Sequence, residues 1–231
     1  MKTLHICGDS FGVSDKASDI IPWHELLATK LRDTYIVYNH CRVSASNLLI
    51  SLQVEEAINA RADYIIQLCT SVTRDQVKFR ELDAYASNLV DRFYDITNVE
   101  DNRYADLVSY SIVTSANAPF TNSQRQLADE YNKQFGDLAL RIYQNQCTIS
   151  YTLNQLVDSK IRFCFDQGGF EHKSFGNPQT LGYFFKFDQY RSKVNLWDHA
   201  NVRALRPYFH ITDQHTHNMI SDYYVEKINA R

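Results

Sequence analysis

Five short apolar runs punctuate the chain: Leu4–Cys7, Tyr35–Tyr38, Tyr64–Cys69, Ile161–Phe165 and Tyr208–Ile211. All are rich in Ile, Val, Phe and Tyr and lack clean apolar/polar alternation, the pattern of strands buried on both faces of a parallel sheet. Between them the period becomes helical. Trp23, Leu26, Leu27 and Leu31 share one face of a segment opened by Pro22, a residue suited to a helix's first turn. Leu48, Leu52, Val54 and Ile58 repeat that pattern over 47–60, 125–157 continues it for several turns, and Met219–Ile228 predicts a last helix. Strands alternating with crossovers long enough to hold helices predict a three-layer α/β/α sandwich around a central five-stranded parallel sheet.

Two stretches exceed a minimal sandwich. Residues 75–123 follow the third predicted strand and 168–206 the fourth, so both leave carboxyl ends of strands, where open α/β sheets bind ligands. They are expected to be insertions within a single domain spanning 1–231, serving as pocket walls, packing elements or oligomer contacts. A hydrophobic fraction of 44% with 22% charged residues fits an ordinary globular chain rather than a disordered one. The net charge of -3, without a Lys/Arg run, gives nucleic acid no electrostatic foothold. Five cysteines in no CxxC pair predict buried, reduced thiols. No signal-like or membrane-spanning apolar run stands out, so the expected location is cytoplasmic, without a membrane partner.

The candidate chemistry begins where the first run stops, at Gly8-Asp9-Ser10. A strand ending there delivers Ser10 to the carboxyl edge of the sheet, where a turn exposes its hydroxyl. A serine nucleophile needs a base and a group that orients the base. The last predicted strand runs into Asp213-Gln214-His215-Thr216-His217, which places Asp213 and His215 at the same edge. His217 is the alternative base. On an extended segment Asp213, His215 and His217 would point the same way, which also permits a metal reading.

With these residues in view, the chain resembles the SGNH (GDSL-type) hydrolase family. Gly8-Asp9-Ser10 resembles its first block, whose serine is the nucleophile and lends its backbone N–H to the oxyanion hole. The stretch from Asn39 to Asn47 resembles the second block, and the Asp213/His215 pair the fifth, which completes the triad. The resemblance implies hydrolysis of an acyl ester, of esterase or deacetylase type, by Ser10, His215 and Asp213. It implies a small-molecule or carbohydrate ester as substrate and no cofactor.

The chain also departs from the family pattern. Ser44 stands where the second block has its oxyanion glycine. After the third strand, Leu68-Cys69-Thr70-Ser71-Val72-Thr73-Arg74 contains no asparagine where the family places a side-chain donor. Loss of one such donor typically costs about 10²–10³ in rate. Ser44, Asn47, Thr70, Ser71 and Arg74 are the candidates for oxyanion and substrate binding. The rival expectation is a catalytically impaired chain that keeps the scaffold for a binding or structural role.

Overall fold

The computed structural model describes residues 1–13, 19–42, 45–71, 74–78, 107–111, 126, 129–130, 133–134, 136–166, 185–192, 194, 196, 211 and 213–230. Four of the predicted runs are strands: β1 (Lys2–Cys7), β2 (Tyr35–Asn39), β3 (Tyr64–Leu68) and, after two strands of the first insertion, β6 (Arg162–Asp166). They pair in parallel in the order β2-β1-β3-β6, so the first strand of the chain lies inside the sheet. The described sheet therefore has four strands. Residues 208–210 of the expected fifth lie outside the described residues, and Ile211 is buried but not in a strand. The segment that does run beside β6 is Arg191-Ser192: Arg191 bridges Phe165 in parallel, and the Ser192 N–H donates to the Phe165 carbonyl at 2.7 Å.

The strands lack alternation because each feeds two cores. Leu4, Ile6, Tyr64, Ile66, Leu68 and Cys164 point to one face, where α1 (Trp23–Leu31) and α4 (Gln214–Asn229) cover them with Trp23, Leu27, Ile220, Tyr224 and Ile228. Cys7, Ile65, Phe163 and Phe165 point to the other, under α2 (Asn47–Asn59) and α3 (Leu138–Ser159). Three layers result, as the alternation of periods predicts. On the first face, the Trp23 and Tyr224 rings lie 5.0 Å apart between centroids.

The helix starts follow local chemistry. Ser46 caps α2 by accepting the Leu49 N–H, and Asp137 caps α3 by accepting that of Leu140. At the other end of α3, Lys160 takes the left-handed conformation (φ 60°) that closes a helix.

Two expectations shift. In α2 the buried stripe is Leu49, Ile50, Val54 and Ala57, while Leu48 is 51% exposed; polar Asn47, Ser51 and Gln53 also turn inward, each held by a hydrogen bond. The last helix begins at Gln214 rather than near Met219, because Asp213 caps it.

Within the first insertion, β4 (Arg74–Lys78) and β5 (Leu107–Ser111) form an antiparallel ribbon, Arg74 opposite Ser111. In the second, Phe185–Tyr190 is a 3-10 helix whose Phe187 enters the α2/α3 core. The remainder of both insertions lies outside the described residues. All five cysteines are free thiols, four of them buried and Cys147 exposed. Among the described residues no helix is long and apolar enough to cross a membrane.

Candidate active site

The carboxyl ends of β1, β2 and β3 meet around the turn that carries Ser10. This turn is one of 3-10 type, Ser10–Gly12, capped by Asp9, whose Oδ1 accepts the Phe11 N–H at 3.1 Å. It is held from several sides. The Gly8 N–H donates to Oε1 of Gln53 at 2.8 Å, and the Gly8 carbonyl accepts the Arg42 N–H. Asn39 donates its Nδ2 to the Gly12 carbonyl at 2.7 Å, and the Trp23 indole Nε1 donates to the Phe11 carbonyl at 2.8 Å. The glycines permit this closeness: a Cβ on Gly8 would sit 2.7 Å from Leu68 Cβ, and one on Gly12 would overlap the Cys41 sulfur. Ser10 itself is half-buried at the mouth of the turn.

The loop after β3 locks onto this turn. Asp9 is completely buried, and its Oδ2 accepts the Thr70 hydroxyl at 2.6 Å. Asn47, at the start of α2, accepts the Thr70 N–H at 2.9 Å and donates to the Thr70 carbonyl at 3.0 Å. Its Nδ2 also donates to Oδ1 of Asn145 on α3, 3.0 Å away, and Asn145 in turn donates to the Arg141 carbonyl. The Cys69 N–H is taken by the Asp166 carbonyl at the end of β6. Ser71 is buried beside them. The sequence reading missed Asn145 and Gln53; Gln53 leaves a trace as an amide between Leu52 and Val54, whereas Asn145, flanked by Gln144 and Gln146, leaves none.

The C-terminal candidates enter through α4. Asp213 accepts the Thr216 N–H at 2.7 Å, and hydrogen bonds from the Thr216 hydroxyl and amide hold its carboxyl below the usual carboxylate range. His215 and His217 therefore occupy the first turn of a helix, not an extended segment. Two residues apart on a helix, they face different ways, so the extended geometry behind the metal reading does not form. His215 is exposed, whereas His217 is buried. Both nitrogens of His217 are engaged: Nδ1 accepts the Trp23 N–H at 3.0 Å, and Nε2 donates to the Ile211 carbonyl at 3.2 Å. Those partners assign the Nε2-protonated neutral ring. Burial lowers its pKa, outweighing the Ile211 hydrogen bond and the Asp213 charge. Gln214 adds a two-point bond to the backbone of Ile21.

Trp23 is thus the joint of the site. Its indole holds the Ser10 turn, and its backbone is held by the first turn of α4, which carries His215. Ser44 and the side chain of Arg74 lie outside the described residues.

Chain-wide comparison with solved structures reveals the same architecture elsewhere. The psychrotrophic esterase EstA from Pseudoalteromonas superposes with a TM-score of 0.53 at 7% identity, covering 99% of this chain and 97% of that one. TesA gives 0.50 at 9% identity, covering 99% and 98%. The fold is that of the SGNH (GDSL-type) esterases. The acetyl xylan esterase AlAXEase shares it too, with a TM-score of 0.50 at 8% identity over 98% of this chain and 99% of its own. No protein-family model matches the sequence, and no curated protein matches it. At such identities the SGNH likeness concerns the fold alone.

Proposed function

We propose that the chain is a serine hydrolase that cleaves small acyl esters, acetyl esters of carbohydrates among them. Ser10 attacks the carbonyl carbon, His215 takes the hydroxyl proton and returns it to the leaving alcohol, and Asp213 orients the imidazole. Water then attacks the acyl-serine by the same route in reverse roles, releasing the acid. The backbone N–H groups of Ser10 and Ser44 serve the oxyanion, with Ser71 and Arg74 at the edge of the substrate site.

The observation that carries this reading is the division of labour between the two histidines. His217 is spent on Trp23 and Ile211, whereas His215 is exposed on the same helical turn, which is tied through Trp23 to the turn that carries Ser10. The solved structures with this fold support the substrate class, since two are described as esterases, one of them an acetyl xylan esterase. EstA was also captured inhibited by monoethylphosphonate.

A fluorophosphonate probe tests the proposal. Labelling of the wild-type chain at Ser10, lost in Ser10→Ala and His215→Ala, supports it, as does turnover of p-nitrophenyl acetate with the same dependence. An inert Ser10 in folded protein overturns it in favour of a binding protein on the same scaffold. One observation favours that rival: the Thr70 hydroxyl, in the stretch that lacks the third-block asparagine, and the Asn47 amide are both occupied by internal partners.

A further inference from the structure

In the loop after β3, three donors are already committed. The Cys69 N–H goes to Asp166, the Thr70 N–H to Asn47 and the Thr70 hydroxyl to Asp9. A hydroxyl that donates its single proton to a buried carboxylate at 2.6 Å has none left for an oxyanion. Thr70 therefore contributes in another way.

Asp9 has one oxygen on Thr70 and the other on the Phe11 N–H, so a continuous path runs from the β3 loop to the amide that follows Ser10. Asn47 fixes the start of that path. It grips Thr70 at both its N–H and its carbonyl, which sets the loop's orientation as well as its position, and it is braced against Asn145 from α3. All of these side chains are buried, so each bond acts in surroundings where an unmade partner is costly.

We propose that Thr70 and Asn47 are positioning residues for Ser10: they act through Asp9 to hold the serine turn in its reactive shape, and neither touches the substrate. The inference rests on the hydrolase reading for its catalytic consequence, while its mechanical part concerns the turn itself. Small displacements of a nucleophile are expensive, with a misplacement of about 1 Å able to cost ~10²-fold in rate. Loss of the Thr70 hydroxyl removes the bond that aims Asp9, while the pocket that receives the ester is left intact. The rate of the chemical step then falls and substrate affinity does not.

The test compares wild type, Thr70→Val, Thr70→Ser and Asn47→Asp. Aspartate keeps the acceptor for the Thr70 N–H but loses the bonds donated to the Thr70 and Ser71 carbonyls and to Asn145. Three quantities are read: fluorophosphonate labelling rate at Ser10, kcat and KM on p-nitrophenyl acetate, and hydrogen exchange at the Phe11 amide. Melting temperature is followed in parallel to establish that each variant is folded.

Thr70→Val is expected to label and turn over about 10–100-fold more slowly with KM within about twofold, and to exchange Phe11 faster. Thr70→Ser restores all three, which a merely space-filling role would not do, and Asn47→Asp follows Thr70→Val. Wild-type labelling and kcat retained in Thr70→Val overturn the inference. A wild-type chain inert to the probe overturns the hydrolase reading instead; the mechanical claim is then upheld by faster Phe11 exchange in Thr70→Val and overturned by unchanged exchange. If Thr70→Val does not fold, Asn47→Asp and Thr70→Ser decide by the same readouts.

Discussion

The backbone N–H of Trp23 donates to Nδ1 of His217 at 3.0 Å, joining the first residue of α1 to the first turn of α4. Replacement of His217 by Ala strands both that N–H and the Ile211 carbonyl in a buried setting. The expected loss is about 1–3 kcal/mol of stability, read as a shift in the urea midpoint. His215→Ala should do the reverse. Its side chain is exposed, so stability stays within about 0.5 kcal/mol, while ester turnover falls by at least about 10³-fold. A His217→Ala chain that is fully stable but inactive would exchange the two roles.

Acid should weaken the fold through its buried histidines. His5 and His40 share a hydrogen bond of 2.9 Å, Nδ1 to Nε2, which requires at least one neutral ring. Burial and the neighbouring His40 lower the His5 pKa to about 4, and burial likewise lowers those of His40 and His217. The unfolded chain takes up these protons below about pH 6.5, where the folded chain refuses them, so stability is full above that point. It falls as the pH drops from there, and the His5 contribution is gone only below about pH 4. Urea midpoints measured between pH 7.5 and 4 should decline, and a His5→Gln/His40→Gln double variant should show a shallower slope. An unchanged slope would refute the assignment.

Alanine at Gly8 places its methyl against Leu68 Cβ, close to the backbone of β3, and alanine at Gly12 drives into the Cys41 sulfur. Neither neighbour is the loose end of a long side chain. Overpacking of this kind costs about 1–3 kcal/mol, and it displaces the serine turn in both cases. Thermal melts should show the loss, and Ser10 labelling should slow further than the melts alone explain.

The two cationic tethers of α4 should differ in strength. Arg162 donates to the carbonyls of Ile228 (2.9 Å) and Ala230 (2.6 Å), and its guanidinium lies 5.4 Å from the Tyr64 ring centroid. Arg162→Ala is expected to cost about 1–2 kcal/mol and to speed amide exchange in the last turn of α4. Lys30 meets Asp222 at 2.7 Å, but the Asp222 side chain is 66% exposed. Lys30→Ala should fall within about 0.5 kcal/mol in urea titrations at moderate salt.

The strands are legible in the sequence because burial on both faces leaves mostly apolar runs without alternation, as in Tyr64–Leu68, where every residue, Gln67 included, is buried. Ser10 is legible because the run stops at Gly-Asp-Ser. The face of α2 is not. Apolar periodicity favours Leu48, yet Asn47 and Gln53 face inward for partners that lie far along the chain, and no local pattern announces such bonds. The two terminal histidines fail to separate for a similar reason. Asp213 is read there as a triad acid on an extended segment, while in the fold it caps α4, with His217 turned inward and His215 outward. A capping aspartate and a catalytic one look alike in a sequence.

Asn47 grips the chain at Thr70, where it leaves the sheet, and at Asn145, soon after it returns as α3. Such a clasp gathers the base of a long excursion whose two ends are anchored independently of what lies between. Closure entropy grows only logarithmically with length, so doubling the excursion costs roughly 0.6 kcal/mol. Descendants of this chain are therefore free to lengthen, shorten or exchange that segment while the clasp keeps its hold on Thr70 and, through it, on the serine turn.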